Sequence, residues 1–163
     1  MISIVRTNAK DPEFVRLVEY LDSDLAKRDG EDAAFYRQFN QIDSIRYVVL
    51  AYEDETPVGC GAIKEFSPDT VEIKRMFVSP RKRQMGIGTT ILAALESWAA
   101  EQSYARCILE TGIKQPEAIG LYKKAGYRLI PNFGQYAGVH TSVCFEKAIA
   151  TVKPSRIETR REP

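Results

Sequence analysis

No apolar run in this sequence approaches the ~20 residues that a membrane-spanning helix needs. The first residues, Met1-Ile2-Ser3-Ile4-Val5-Arg6, read as a short strand and lack the charged start and apolar core of a signal peptide. Cysteine is scarce: Cys60, Cys107 and Cys144 stand far apart, without CxxC spacing, which argues against a disulfide framework and against a zinc site. There is one histidine, His140, in a glycine-rich loop, where a surface position is expected. Charge of one sign is also missing: 23 Lys and Arg balance 22 Asp and Glu, for a net charge of +1. Such a balance gives no global attraction to nucleic acid or membrane, so any anion site must be local. The run Arg81-Lys82-Arg83 has no interleaved aromatics and is too short for a nucleic-acid patch. These absences lead us to expect a cytoplasmic protein with no metal, no nucleic-acid partner and no membrane partner.

What is present is the patterning of one α/β domain over residues 1–150, followed by a charged tail over 151–163 that is expected to be flexible. Ile2–Arg6 reads as a strand. Asp11 caps a helix with Pro12 at its first position, and Phe14, Leu17, Val18, Leu21 and Leu25 recur at helical spacing up to Gly30. A second helical stretch is predicted at about residues 33–39. Strands follow at Arg46–Tyr52, Val58–Phe66 and Thr70–Val78, with turns short enough for an antiparallel meander. Ile87, Ile91, Ala94, Leu95 and Trp98 mark a helix to about Gln102. Ala105–Thr111 is a strand, and Ala118, Leu121, Tyr122 and Ala125 mark a helix closed by Gly126. Tyr127–Ile130 and Ser142–Ala148 complete the sheet. The fold class is therefore a mixed sheet, antiparallel at first, with a parallel central pair and flanking helices.

The segment Arg83-Gln84-Met85-Gly86-Ile87-Gly88 lies between the central strand and a helix. Glycine lets an anion approach the backbone closely, and a helix N-terminus offers free N–H groups and a favourable dipole. Arg81, Lys82 and Arg83 are expected to add mobile positive charge. The turn is not a P-loop, because no lysine follows Gly88, and not a GxGxxG dinucleotide turn, because Ile91 takes the third glycine position. Glu110 resembles the ribose-binding acid of a dinucleotide fold, but the antiparallel first half supplies no repeated βαβ units.

The remaining pattern, [RQ]xxGx[GA], resembles the coenzyme A signature of the GNAT superfamily of N-acetyltransferases. The likeness covers roughly residues 2–148. Val78-Ser79-Pro80 leading into Arg83-x-x-Gly86-x-Gly88 matches the end of that family's fourth strand and its pyrophosphate turn. Ile108-Leu109-Glu110-Thr111-Gly112 matches its fifth strand, and Ala118 through Leu121-Tyr122 to Gly126-Tyr127 matches the following helix. Gln84 and Gln115 depart from the glycine and asparagine common at those positions, though both remain polar.

This resemblance implies direct acetyl transfer from acetyl-CoA to a primary amine of a small molecule or peptide. The alternative is an acetyl-CoA sensor that keeps the fold without turnover. It also leaves a homodimer open, dimers being frequent in the family. Met76, Phe77 and Val78 are expected to hold the pantetheine arm, with an oxyanion-stabilising amide near Phe77 or Val78 where relatives carry a bulge. Arg83, Gln84, Met85, Gly86, Ile87, Gly88 and Thr89 are expected to grip the pyrophosphate, with Gln115 and Tyr122 as further contacts. Tyr122 stands at the family's proton-donor position, or else simply packs after Ala118. Glu110 and Glu72 compete as general base, with Glu110 favoured; each has an alternative in a salt bridge to Lys64, Lys74 or Arg106. Glu72 lies six residues before Val78, ~20 Å along a strand, a distance that suits the length of the arm. Tyr136 is placed either in the acceptor pocket or as a pin for its loop, and Tyr36, Phe39 and Asn40 on the opposite wall. Lys64 and Lys74 are candidates for an acceptor carboxylate or for Glu72. Cys144, without a histidine partner, reads as core.

Overall fold

The computed structural model describes residues 1–32 and 45–150. The helix expected over residues 33–39, with Tyr36, Phe39 and Asn40, and the tail from residue 151 lie outside the described residues. Strand β1 spans Ile2–Thr7. The Asp11 carboxylate caps helix α1 (Pro12–Asp29) by accepting from the Glu13 amide at 2.9 Å, and Gly30 ends it at φ 56°. Strands β2 (Tyr47–Glu53), β3 (Thr56–Ser67) and β4 (Thr70–Val78) continue from β1 as an antiparallel meander. A 3-10 turn at Pro80–Lys82 leads to helix α2 (Ile87–Glu101). Strand β5 (Arg106–Gly112), helix α3 (Pro116–Lys124), and strands β6 (Arg128–Ile130) and β7 (Ser142–Ala148) follow.

The strands form one sheet in the order β1-β2-β3-β4-β5-β7-β6. Because α2 crosses between β4 and β5, that pair is parallel, and all other neighbours are antiparallel. Buried residues run almost without interruption along the central strands, successive side chains pointing to opposite faces, so the sheet buries both faces. On one face Val49, Ile63, Val71, Ile73, Leu109 and Phe145 pack with Ile87, Ile91 and Leu95 of α2 and Tyr122 of α3. On the other, Phe14, Leu17, Val18 and Leu21 of α1 cover Val48, Leu50, Cys60, Ala62 and Phe77.

The pairing of β3 with β4 carries one irregularity that matters for everything downstream. Cys60 faces Phe77, yet Ala62 faces Lys74, so β4 contains an extra residue. Arg75 sits in this bulge at φ 60°, which costs a non-glycine residue about 1–3 kcal/mol. The extra residue inverts the alternation. Val71 and Ile73 face the α2 core before it and Met76 and Val78 after it, while Phe77 joins the α1 core. The bulge therefore lies at Arg75, earlier than the expected position near Phe77 or Val78.

Helix α2 lies close to β3 because Gly59 and Gly61 leave room for it. A Cβ on Gly61 would stand 2.6 Å from Met76 Sδ, 2.8 Å from Leu95 Cδ1 and 2.9 Å from Ile91 Cγ2. Gly61→Val should destabilise the protein by about 1–3 kcal/mol through overpacking, read as a lower urea midpoint.

At the far side of the sheet Glu146 on β7 accepts from Arg106 of β5 at 2.8 Å and from Arg128 of β6. Burial pushes the Glu146 carboxyl upward, but the two arginine hydrogen bonds outweigh it and hold the group below its ordinary 4.5. A depressed carboxyl contributes stability that is present above its unfolded pKa and is lost as pH falls through the folded one. Glu146→Gln should thus be less stable than the parent at pH 7, and the gap should close on acidification below 4.5. Both arginines are well exposed, so salt should also narrow it, as unfolding curves at two ionic strengths will show.

Candidate functional site

Strands β4 and β5 pair only at their beginnings, Thr70 with Arg106, Val71 with Cys107 and Glu72 with Ile108. Beyond that point β4 stays with β3, and β5 stays with β7 along its whole length. The two strands therefore part, and the backbone edges that a sheet would have paired open onto a cleft of about 890 Å³. That volume lies in the range of small-molecule and cofactor sites. Its walls come from α1, β4, the turn after β4, the start of α2, β5, α3 and the loop before β7.

At one mouth lies the glycine turn. Gln84 and Gly86 both adopt positive φ, 65° and 84°, which swings the chain from the 3-10 turn into α2. Gly86 is the N-cap of α2, no side chain caps the helix, and nothing of the protein lies within 4 Å of where a Cβ would be. The first turn of α2 is thus left without a side-chain cap, and Gln84 and Thr89 line the cleft beside it. Gly88 has a different reason for being glycine: a Cβ there would press on Leu121 Cδ2 at 3.3 Å, so it lets α3 pack against α2. Ile87 turns into the core and Met85 is exposed outside the cleft, leaving their backbones as the parts near the turn. Lys82 and Arg83 are not mobile charges as expected. Lys82 pairs with Glu53 at 2.5 Å, while Arg83 donates from Nε to the Val78 carbonyl at 2.8 Å and lies 3.7 Å from Asp24. Arg83 is held against the end of β4, its guanidinium over the Phe77 ring at 5.6 Å, and lines the cleft.

Where the strands part, the cleft is lined by Glu72, Glu110, Tyr122 and Tyr136. Glu72 is buried, and desolvation raises its pKa despite the Lys74 ammonium at 3.5 Å. Glu110 accepts from the Ser142 hydroxyl at 2.7 Å. Tyr122 packs against Tyr127 and Phe145, with ring centroids 5.9 and 6.4 Å apart, and lines the cleft as well. Burial, then the nearby Glu110 charge, push its phenol well above the ordinary value, so it keeps its proton. Tyr136 lines the cleft and is also a packed residue. It packs on Cys144 and Phe133, pinning the loop before β7, and its phenol is raised by burial and by the charges of Glu110 and Glu72. Met76, Phe77, Val78 and Gln115 also line the cleft.

Lys74 pairs with Glu72, whereas Lys64 is exposed and lies outside the cleft lining, opposite Glu72 in the ladder. Arg106 is engaged by Glu146. Burial pushes the Cys144 thiol up to about 11, opposite to what a nucleophile needs. His140 is exposed. Among the described residues no group of side chains could hold a metal ion, and no helix is long and apolar enough to cross a membrane. Sequence reasoning missed Arg75, Ser142 and the α1 residues Asp24 and Arg28. For Arg75 a signal existed: adjacent Lys74 and Arg75 followed by three apolar residues break the period of two, as a bulge does.

The chain belongs to the acetyltransferase (GNAT) family, whose model matches residues 14–127. It is 33% identical over 152 residues to an IAA acetyltransferase of Azospirillum brasilense, covering 91% of this chain and 98% of that protein. A crystal structure from Klebsiella pneumoniae, described as that of an acyl-CoA N-acyltransferase, matches with TM-score 0.76 at 29% identity, over 91% of this chain and 98% of that one. The PaiA N-acetyltransferase of Thermoplasma acidophilum, in complex with coenzyme A, shares the fold with TM-score 0.65 at 19% identity, over 91% and 99%. The protein is an acetyl-CoA-dependent acyltransferase.

The residues present fit that donor. An uncapped helix N-terminus beside Arg83 suits a diphosphate, and the parted strand edges offer main-chain groups to an extended amide-bearing arm. Arg83→Glu and Gly86→Val should each weaken coenzyme A binding at least about tenfold by calorimetry, the first by charge reversal, the second by filling the turn at positive φ. Unchanged affinity in folded variants would remove the turn from the donor site.

Proposed function

We propose that the protein transfers the acetyl group of acetyl-CoA directly to a primary amine of a small molecule or peptide. The observation that carries this reading is the convergence of two carboxylates and two phenols on the segment of cleft where β4 leaves β5. Acetyl-CoA supplies an activated acetyl thioester, and the side chains supply proton handling. Glu110, oriented by Ser142, takes the proton that an ammonium must lose before its nitrogen can attack. Tyr122 is kept protonated by burial and by Glu110, so its hydroxyl is available to the departing sulfur. Backbone amides between the bulge and Val78, where β4 has no β5 partner, are the donors for charge developing on the carbonyl oxygen. Arg83 and the α2 N-terminus hold the diphosphate at the other mouth.

A second assignment of the base is favoured by one observation. Burial raises Glu72, which increases its affinity for a proton towards that needed for work near neutral pH. Lys74 opposes this and occupies part of its hydrogen-bonding capacity, so Glu110 is preferred.

The test is thiol release from acetyl-CoA across a panel of amines, followed by variants on any acceptor found. Tyr122→Phe should lower kcat about 100-fold while leaving KM for acetyl-CoA near its parent value, since the ring keeps its packing. With Glu110 as base, Glu110→Gln abolishes the acid limb of the kcat–pH profile while Glu72→Gln retains it. The reverse pattern, with a limb above the ordinary carboxyl value of 4.5, would assign the base to Glu72. Coenzyme A binding without acetylation of any amine would overturn the reading.

A further inference from the structure

The bulge residue Arg75 has no part in the reaction described so far, yet it lines the same cleft. Its side chain is only 2% exposed, and among the described residues it pairs with Asp22 on α1, which is 52% exposed. Its Nε is buried and has no hydrogen-bond partner. Guanidinium groups carry five donors, and a buried donor left without an acceptor is uncommon enough in folded proteins to need a cause. The backbone around it is fixed rather than slack: the Cys60 thiol donates to the Arg75 carbonyl at 3.4 Å, and the residue holds a left-handed φ. Next to it Lys74, itself 8% exposed, meets Glu72 at 3.5 Å, the outer limit of a direct contact. Two largely buried cations therefore line the same cleft as the two carboxylates, with Lys74 in contact with Glu72.

We infer that Arg75, with Lys74 beside it, binds a carboxylate carried by the acceptor, which makes the acceptor a small amino-carboxylate rather than a simple amine. This rests on the proposed acceptor side of the cleft at Glu110 and Glu72. The cleft then presents both signs to a zwitterion, carboxylates towards its ammonium and cations towards its carboxylate. An arginine fork is suited to that anion because it pairs with both carboxylate oxygens. Asp22, half exposed on α1, shares the guanidinium and offsets its charge when the cleft is empty of acceptor. An amine without a carboxylate would leave this cation set unused, and a site built around such donors discriminates against a ligand that lacks the acceptor group.

The experiment uses the full chain and a panel of α-, β- and ω-amino acids, each beside the amine that lacks its carboxylate. Thiol release from acetyl-CoA gives kcat/KM, and calorimetry gives binding of the same compounds to the coenzyme A-loaded protein. At least one amino acid should exceed its decarboxylated partner by about 10- to 100-fold, the range expected for hydrogen bonds to a charged group. Arg75→Gln should erase that preference through the KM for the amine, and Arg75→Lys should restore part of it, with KM for acetyl-CoA unmoved in both. A purely structural tie to α1 would alter stability without changing the preference. Equal or better use of decarboxylated amines by the parent protein overturns the inference even if Arg75→Gln fails to fold. So does a preference that survives in folded Arg75→Gln. If no amine turns over, the transfer reading fails by itself, and calorimetry decides the inference: it falls if no amino acid binds in preference to its decarboxylated partner.

Discussion

The rest of the site depends on the parting of β4 from β5 after Glu72 and Ile108. A parallel pair ordinarily continues until one strand ends, because each step satisfies backbone groups that would otherwise be buried without partners. Here β4 is held on its outer side by β3 and β5 by β7, so each strand keeps one ladder and gives up the other. The forfeited groups face a cleft with α2 at one mouth and the carboxylates where the strands diverge. Such edges suit an extended ligand with amides of its own, in place of the missing ladder.

Two devices keep that opening rigid. Gly59, Gly61 and Gly88 let helices α2 and α3 sit closer than any side chain would allow, so the wall carrying the anion turn is close-packed on β3 and on its neighbouring helix. The bulge at Arg75 changes which face β4 presents. It sends Phe77 to the α1 core, brings Met76 and Val78 to the α2 core, and stores strain at a residue that lines the cleft. Charge is divided accordingly. Arg83 serves the turn, while Glu72, Glu110, Lys74 and Arg75 occupy the region where the strands part.

Much of this was legible before any coordinates. The caps at Asp11 and Gly30, the helical spacing of Ile87, Ile91 and Leu95, and the short connections between β2, β3 and β4 are local signals that the fold preserves. The glycine turn was readable because it must be contiguous to serve a helix N-terminus. Other features were not, since they depend on partners distant in sequence. Glu110 meets Ser142 because β5 and β7 lie side by side in the sheet, and Lys82 finds Glu53 at the end of β2. Gly88 read as room for an anion; it lines the cleft and is also room for Leu121, a need set by packing between helices.

The elements, their order, the glycine turn and the family whose motifs they carry are all readable along the chain, because each rests on periodicity or on neighbouring residues. Only the tertiary structure decided that β4 and β5 part after three residue pairs, that the extra residue in β4 is Arg75, and that Tyr122 and Tyr136 reach both the core and the cleft. Strand divergence is set by what holds each strand on its other edge. A bulge is set by the mismatch of two ladders, and side-chain direction by the packing of helices onto a finished sheet. None of these is a property of a short stretch of chain.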